Sequence, residues 1–317
     1  MRQFVTFIAS LSIVCLLCRE VFTQERILPS ITSSALGGVL ESGKKASEDH
    51  SYIRIEREQG DSQTPLSLQT AIVKFKANRG PYRKSQVDLI GAIHIADAAY
   101  YHALNKRFKE YDVVLYELVA PEGVEIEQGH KQELSLDVIS GSQQGFQAIL
   151  GLSHQIEEIN YQADNFVHAD MTPTEFNKHM SDRGESFMQL YFRSIGQGMA
   201  LQGTDQGSTS DLGLLFALFS SDREYRMKLI MAKQFERMEG LPDVLSGPEG
   251  STIITLRNDK ALSILKEQLK EGHRKIGIFY GAGHFDDMEQ KLVNEFHLQR
   301  FDEEWVDAWN LRRAKKQ

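Results

Sequence analysis

The spacing of apolar and polar residues changes its period several times along this 317-residue chain, and each change marks an element. Tyr52-Ile53-Arg54-Ile55-Glu56-Arg57 alternates apolar and charged side chains, the period of a strand with one buried face. Residues 66–77 form a longer β-prone run ending in Ile72-Val73-Lys74-Phe75-Lys76. With Gly60 and Pro65 between them, the two runs predict an antiparallel pair. A tight βαβ pattern comes next. Val87-Asp88-Leu89-Ile90 reads as a short strand and Gly91-Ala92-Ile93-His94 as a turn. Asp97 stands at an N-cap position, and Tyr101, Leu104 and Phe108 recur at helical spacing. Val113-Val114-Leu115 is then a second strand, closing on Glu117. A helix between two adjacent strands predicts a parallel pair with a right-handed crossover, so that His94 and Glu117 share the carboxyl edge where open α/β sheets bind ligands.

The middle of the chain, residues 134–240, reads as mainly helical, with helices at 144–158, 174–180, 186–201 and 212–238 and a break at 203–210. The apolar stretch 212–219 is far too short to span a bilayer and predicts a buried helix end or a cap over the site. In the last quarter, Ser251 can cap a helix running to about Glu271, with Gly272 as its stop. Residues 275–280 read as a strand, Gly281-Ala282-Gly283-His284 repeats the earlier Gly-x-x-His turn, and a helix (286–296) and a closing strand (298–305) follow. The expected fold is α/β: a mixed, partly parallel sheet built from two similar βα halves, with a helical insertion or cap between them.

Composition narrows the setting. Lys plus Arg number 36 against 44 Asp plus Glu, a net charge of −8, which argues against general nucleic-acid binding. Arg2 followed by the mostly apolar residues 4–18 reads as a signal peptide or N-terminal anchor over residues 1–24. Residues 25–50 read as a flexible linker, 51–311 as the α/β domain and 312–317 as a basic tail. An exported protein is therefore expected, periplasmic or extracellular, with membrane attachment only through its N-terminal segment. Both cysteines, Cys15 and Cys18, fall inside that segment, so a mature chain would carry no disulfide, thiolate ligand or cysteine nucleophile.

Candidate chemistry rests on a small set of residues. A single Gly-x-x-His says little, since a histidine in a loop after a strand is usually just a satisfied polar group. Two of them, each directly after a predicted strand, point to His94 and His284 as metal ligands or bases. Glu117 ends an apolar run, and a carboxylate there needs a cation, a metal or a proton. Arg257 lies on the apolar face defined by Ile254, Ala261 and Leu265, and is either the partner of Glu117 or a stabiliser of developing negative charge. Asn258 is a candidate substrate contact, although taken alone it reads as an ordinary helix residue. Asp170 is a second candidate contact, but just before Thr172-Pro173 it reads more readily as a helix-capping or turn residue. No Gly-x-Ser-x-Gly, His-Glu-x-x-His or phosphate-cradling glycine loop is present.

Taken together, Leu89-Ile90-Gly91-Ala92-Ile93-His94, Tyr116-Glu117, Arg257-Asn258 and Tyr280-Gly281-Ala282-Gly283-His284 resemble the TraB/PrgY/TIKI family. The resemblance covers roughly residues 71–311 and is strongest at the two ends. It implies an α/β fold related to ChaN and the erythromycin-esterase-like proteins, with His94, His284 and Glu117 as active-site residues and Arg257 as a recurrent arginine. It also implies a metal-dependent, peptidase-like hydrolase acting on a peptide or small-molecule substrate, and two histidines with one carboxylate would suit a divalent ion such as Mn, Co or Zn. Two alternatives stand beside it: a metal-free His/Glu esterase-type hydrolase, and a non-catalytic protein that binds a peptide or haem-like ligand.

Overall fold

The computed structural model describes residues 51–121, 151–184, 220, 222–238 and 252–313. The expected signal segment, linker, 203–210 break, 186–201 helix, 212–219 run, Ser251 cap and the end of the basic tail lie outside these residues, as do residues 144–150 of the expected 144–158 helix, of whose described part only Gln155–Glu158 is helical.

Strand β1 (Ile53–Glu58) pairs antiparallel with β2 (Asp61–Lys76), placing Ile55 opposite Leu68. Strand β3 (Gln86–Ala92) returns antiparallel to β2. After it come the two-residue β4 (Ile95–Ala96), helix α1 (Ala98–Phe108) and β5 (Val113–Tyr116). Then β6 (Ser153–His154) pairs with β4 and runs into the single turn α2 (Gln155–Glu158). Strand β7 (Phe166–His168) precedes α3 (Pro173–Asp182), and α4 (Arg223–Met238) follows. A π-helical turn (Thr252–Leu256) leads into α5 (Arg257–Glu271), which Gly272 ends in the left-handed region at φ 101°. The described chain closes with β8 (Lys275–Gly281), a 3-10 turn (Ala282–His284), α6 (Phe285–Asn294) and β9 (Gln299–Asn310).

Among the described residues the main sheet has seven strands in the order β1-β2-β3-β8-β5-β7, with β9 also paired to β2. It is mixed: β2 is antiparallel to β1, β3 and β9, whereas β3, β8, β5 and β7 run parallel. The protein is thus an α/β fold. Alternation along the central strands divides the core. Ile90, Val114 and Phe279 face α1, with Tyr100, Tyr101, Leu104 and Phe108, while Leu89, Leu115 and Ile278 face α5 and α6, with Leu262, Leu265, Phe285 and Met288. Burial on both faces explains why these strands read as continuous apolar runs.

The structure corrects several expectations. Strands β3 and β5 are not neighbours, because β8 lies between them and pairs with both. The β3–α1–β5 crossover therefore steps over one strand, and the second Gly-x-x-His unit enters at the centre of the sheet. β7, in the stretch expected to be helical, is the parallel partner of β5. β9 runs to Asn310, longer than expected, and pairs along β2. Gly91 belongs to β3 rather than to a turn: a Cβ there would stand 3.1 Å from both Ala71 O and Thr70 Cβ, so the glycine permits close approach of β2. Asp97 occupies the N-cap position of α1 without capping it. Its carboxylate instead takes buried Lys228 of α4 at 3.0 Å and the Asn310 backbone N–H.

Candidate functional site

The parallel strands end at one edge, where Ala92 is level with Gly281 and Tyr116 lies beside Phe279 and His168. Glu117 is the first residue past β5 and its backbone N–H donates to Phe279 O, so the acid is set beside the end of β8. Its carboxylate is held at both oxygens. Arg257 Nη2 donates to Oε1 at 2.8 Å, and the Gly281 backbone N–H donates to Oε2 at 2.6 Å. A Cβ on Gly281 would meet Oε2 at 3.3 Å, so the glycine lets the acid lie against the strand end.

Arg257 opens α5 and is buried, as expected for an arginine on an apolar helix face. It forks between two acids. Besides Glu117 it donates through Nε to Asp170 Oδ1 at 2.9 Å and through Nη2 to Asp170 Oδ2. Asp170 is 1% exposed and also accepts the Met171 N–H. It does not cap α3: Thr172 does, in a reciprocal box with Glu175. The helix-cap reading of Asp170 is corrected accordingly, because Thr172 supplies the cap and the aspartate is drawn to the guanidinium.

His284, 1% exposed, ends the turn after β8. Its Nδ1 is 2.6 Å from Asn258 Oδ1, and its ring stands edge-on to Tyr280 at 5.2 Å between centroids. Its Nε2 has no hydrogen-bond partner, and the nearest charged atom is Glu117 Oε1 at 3.5 Å. That contact is too long for a charge-assisted bond, which runs about 2.7–2.9 Å, so the two atoms face each other unjoined. Asn258 is fully buried and both ends of its amide are engaged: Oδ1 faces His284, while Nδ2 donates to His284 O and to Asp287 Oδ2. It therefore stands behind His284, and no amide end is left facing a ligand. His94 is half-buried past β3, its carbonyl accepts the Gln155 N–H, and it is near enough to act electrostatically on Glu117.

The electrostatics follow from these contacts. Burial pushes the Glu117 carboxyl up, but Arg257 above all, with His284 and His94 adding when charged, outweighs it and holds the acid ionised well below the usual carboxylate range. Burial and the charge of Asp170 push the Tyr280 phenol far up, so it stays neutral and donates to Ala169 O. Arg257 is held charged by Asp170 and Glu117 against the cost of burial. Two buried carboxylates against one guanidinium leave one formal negative charge in excess, beside a bare imidazole nitrogen.

That arrangement bears on the divalent ion the resemblance implies. His284 Nε2 is a buried ring nitrogen without a hydrogen-bond partner, facing an ionised acid, which is suitable ligand chemistry. Yet among the described residues no group of three or more His, Cys, Asp and Glu is set to hold a metal. The fit is therefore to the Glu117–His284 pair, with His94 nearby but not assembled into a complete shell.

Several contributors were not expected from the sequence: the Gly281 amide, the Asp287 carboxylate behind Asn258, and the Tyr280 hydroxyl that ties β8 to Ala169. Asp287 carries no motif; its only signal is its place one helical step after His284. No family model matches this chain, and no curated protein or solved structure matches it either.

Proposed function

We propose that this chain is a hydrolase, peptidase-like and aided by a divalent metal, whose reacting water is handled between His284 and Glu117. The observation that carries the reading is the buried, unpartnered Nε2 of His284, 3.5 Å from an ionised carboxylate at the carboxyl edge of the sheet. A buried polar nitrogen without a partner costs about 1–3 kcal/mol, which an ion or a reacting group bound there would offset. The resemblance to the TraB/PrgY/TIKI family supports the same reading, as does the excess negative charge, which a cation would neutralise.

Within it, His284 Nε2 and Glu117 Oε1 would hold the ion, with His94 as third ligand from the more open side. When bound, Mn, Co or Zn would make water acidic enough to attack near neutral pH. Glu117 would accept a proton from the reacting water, and its own position is kept by Arg257 and the Gly281 N–H. Arg257, anchored by Asp170, keeps the acid ionised between turnovers. Substrate enters past His94, since His284 is closed off from solvent. Export through residues 1–24 belongs to the same proposal.

A second reading is favoured by one observation: both Glu117 oxygens already accept hydrogen bonds, which leaves little capacity for a metal. In that metal-free reading His284 and Glu117 polarise water directly. One experiment separates the two. The full chain, purified without chelator or nickel, is assayed on a fluorogenic peptide library and on simple aryl esters, before and after exhaustive chelation. Loss of turnover on chelation, with return on adding Mn, Co or Zn, supports the metal reading; turnover that survives supports the second. In both, His284→Ala lowers kcat by about 10²–10⁴-fold. Wild-type turnover in that variant would remove His284 from the chemistry and contradict both readings.

A further inference from the structure

We infer that Asn258, itself set by Asp287, is a positioning residue that holds His284 as its Nδ1–H tautomer, so that Nε2 turns a lone pair toward Glu117. The two ends of the Asn258 amide differ in what they can face. One end lies 3.0 Å from His284 O and 2.8 Å from Asp287 Oδ2. Both of those oxygens are acceptors, so this end must be the NH2 group; the flipped amide would set oxygen against oxygen twice. The oxygen end is thereby fixed against His284 Nδ1 at 2.6 Å. An amide oxygen cannot donate, so the proton in that short contact belongs to Nδ1. A neutral ring then has no proton left for Nε2.

The surroundings keep the amide from turning. Asn258 is fully buried near the start of α5. Asp287, on the first turn of α6, is itself held by Lys291 at 2.8 Å, and Lys291 is held in turn by Asp259 at 2.6 Å. The line Lys291–Asp287–Asn258–His284 thus runs inward from the surface to the ring nitrogen facing Glu117. A histidine that serves as ligand or base through one nitrogen needs its other nitrogen committed as a donor, and here the fold supplies that commitment from a neutral amide. An amide is a better partner than a carboxylate for this purpose in an already anionic pocket, because it sets the tautomer without adding negative charge.

The meaning for catalysis rests on the proposed hydrolase, but the tautomer does not, and it can be read without any substrate. The full-length chain, labelled with 15N-histidine and stripped of metal, is examined by long-range 1H–15N correlation at mildly alkaline pH. The His284 ring is identified by the signals missing from a His284→Gln sample. The expected spectrum has a protonated-type Nδ1 and a bare-type Nε2. In Asp287→Ala only the His284 carbonyl still accepts from the amide, so its orientation is less firmly fixed and the expected result is a shift of the ring toward a mixture of both tautomers. On any substrate that the wild type turns over, that variant should lose roughly 10–100-fold in kcat, with KM little changed. A wild-type ring protonated at Nε2, whether alone or together with Nδ1, would overturn the inference, as would an Asp287→Ala ring whose two signals do not move. The stated tautomer in a protein that hydrolyses nothing would uphold the positioning role and remove the hydrolase reading alone.

Discussion

Arg257 carries more of the site than its position on a helix suggests. It is the only cation joined to both Glu117 and Asp170 in the described site, and both acids are buried. Replacing it by Met leaves two carboxylates without a counter-charge, and breaking a buried pair in this way costs about 3–5 kcal/mol. Urea unfolding of Arg257→Met should show a loss of that order; a loss below 1 kcal/mol would mean that the pair is not buried as described. Gly281 tests position rather than charge. A methyl group there meets Glu117 Oε2 at 3.3 Å while the backbone conformation suits alanine, so Gly281→Ala should depress kcat well before it lowers Tm. Equal losses in both would mark the glycine as purely structural. At this scale the sequence was most informative where burial and charge conflict. Glu117 and Arg257 each stand in an apolar context that demands a partner, and the partner of each is visible in that demand. The Asp170–Arg257 bonds span 87 residues and have no local signature, because aspartate before Thr-Pro is equally at home as a cap.

Among the elements, β3 holds a third buried acid, one that the chemistry does not use. Asp88 is 1% exposed, and burial raises its carboxyl above 3.8 despite hydrogen bonds from Tyr111 and Gln86. A raised carboxyl binds its proton more tightly folded than unfolded. Its stabilising contribution is therefore full below the ordinary aspartate value and is lost as pH climbs through the raised one. Asp88→Asn should be more stable than the parent near neutral pH, and the two melting temperatures should converge on acidification. A variant less stable at neutral pH would show that the ionised form is favoured where it sits. Strand periodicity made most of this sheet legible, since β1, β2, β3, β5 and β8 each follow from apolar patterning. Strand order was not legible, because the period of a segment reports its faces and not its neighbours. Hence β8 between β3 and β5 could be seen only in the fold. β7 was missed for a different reason: three residues, Phe166-Val167-His168, are too few to establish a period against helical flanks.

For the molecule as a whole, the insertion of β8 is what makes a site possible. It brings the second Gly-x-x-His unit to the middle of the parallel strands, with the first unit on one side and Glu117 on the other. The two halves thus meet at the sheet edge where the excess negative charge collects. No helix among the described residues is long and apolar enough to cross a membrane. The central claim is that this edge hydrolyses a substrate through the acid facing His284. It is tested most directly by comparing kcat of the wild type with that of Glu117→Gln on a peptide or ester the wild type turns over, with far-ultraviolet circular dichroism to verify folding. The account predicts a folded variant slowed by about 10²–10⁴-fold, because glutamine fills the same space but accepts no proton. A folded Glu117→Gln protein working at the wild-type rate would contradict it.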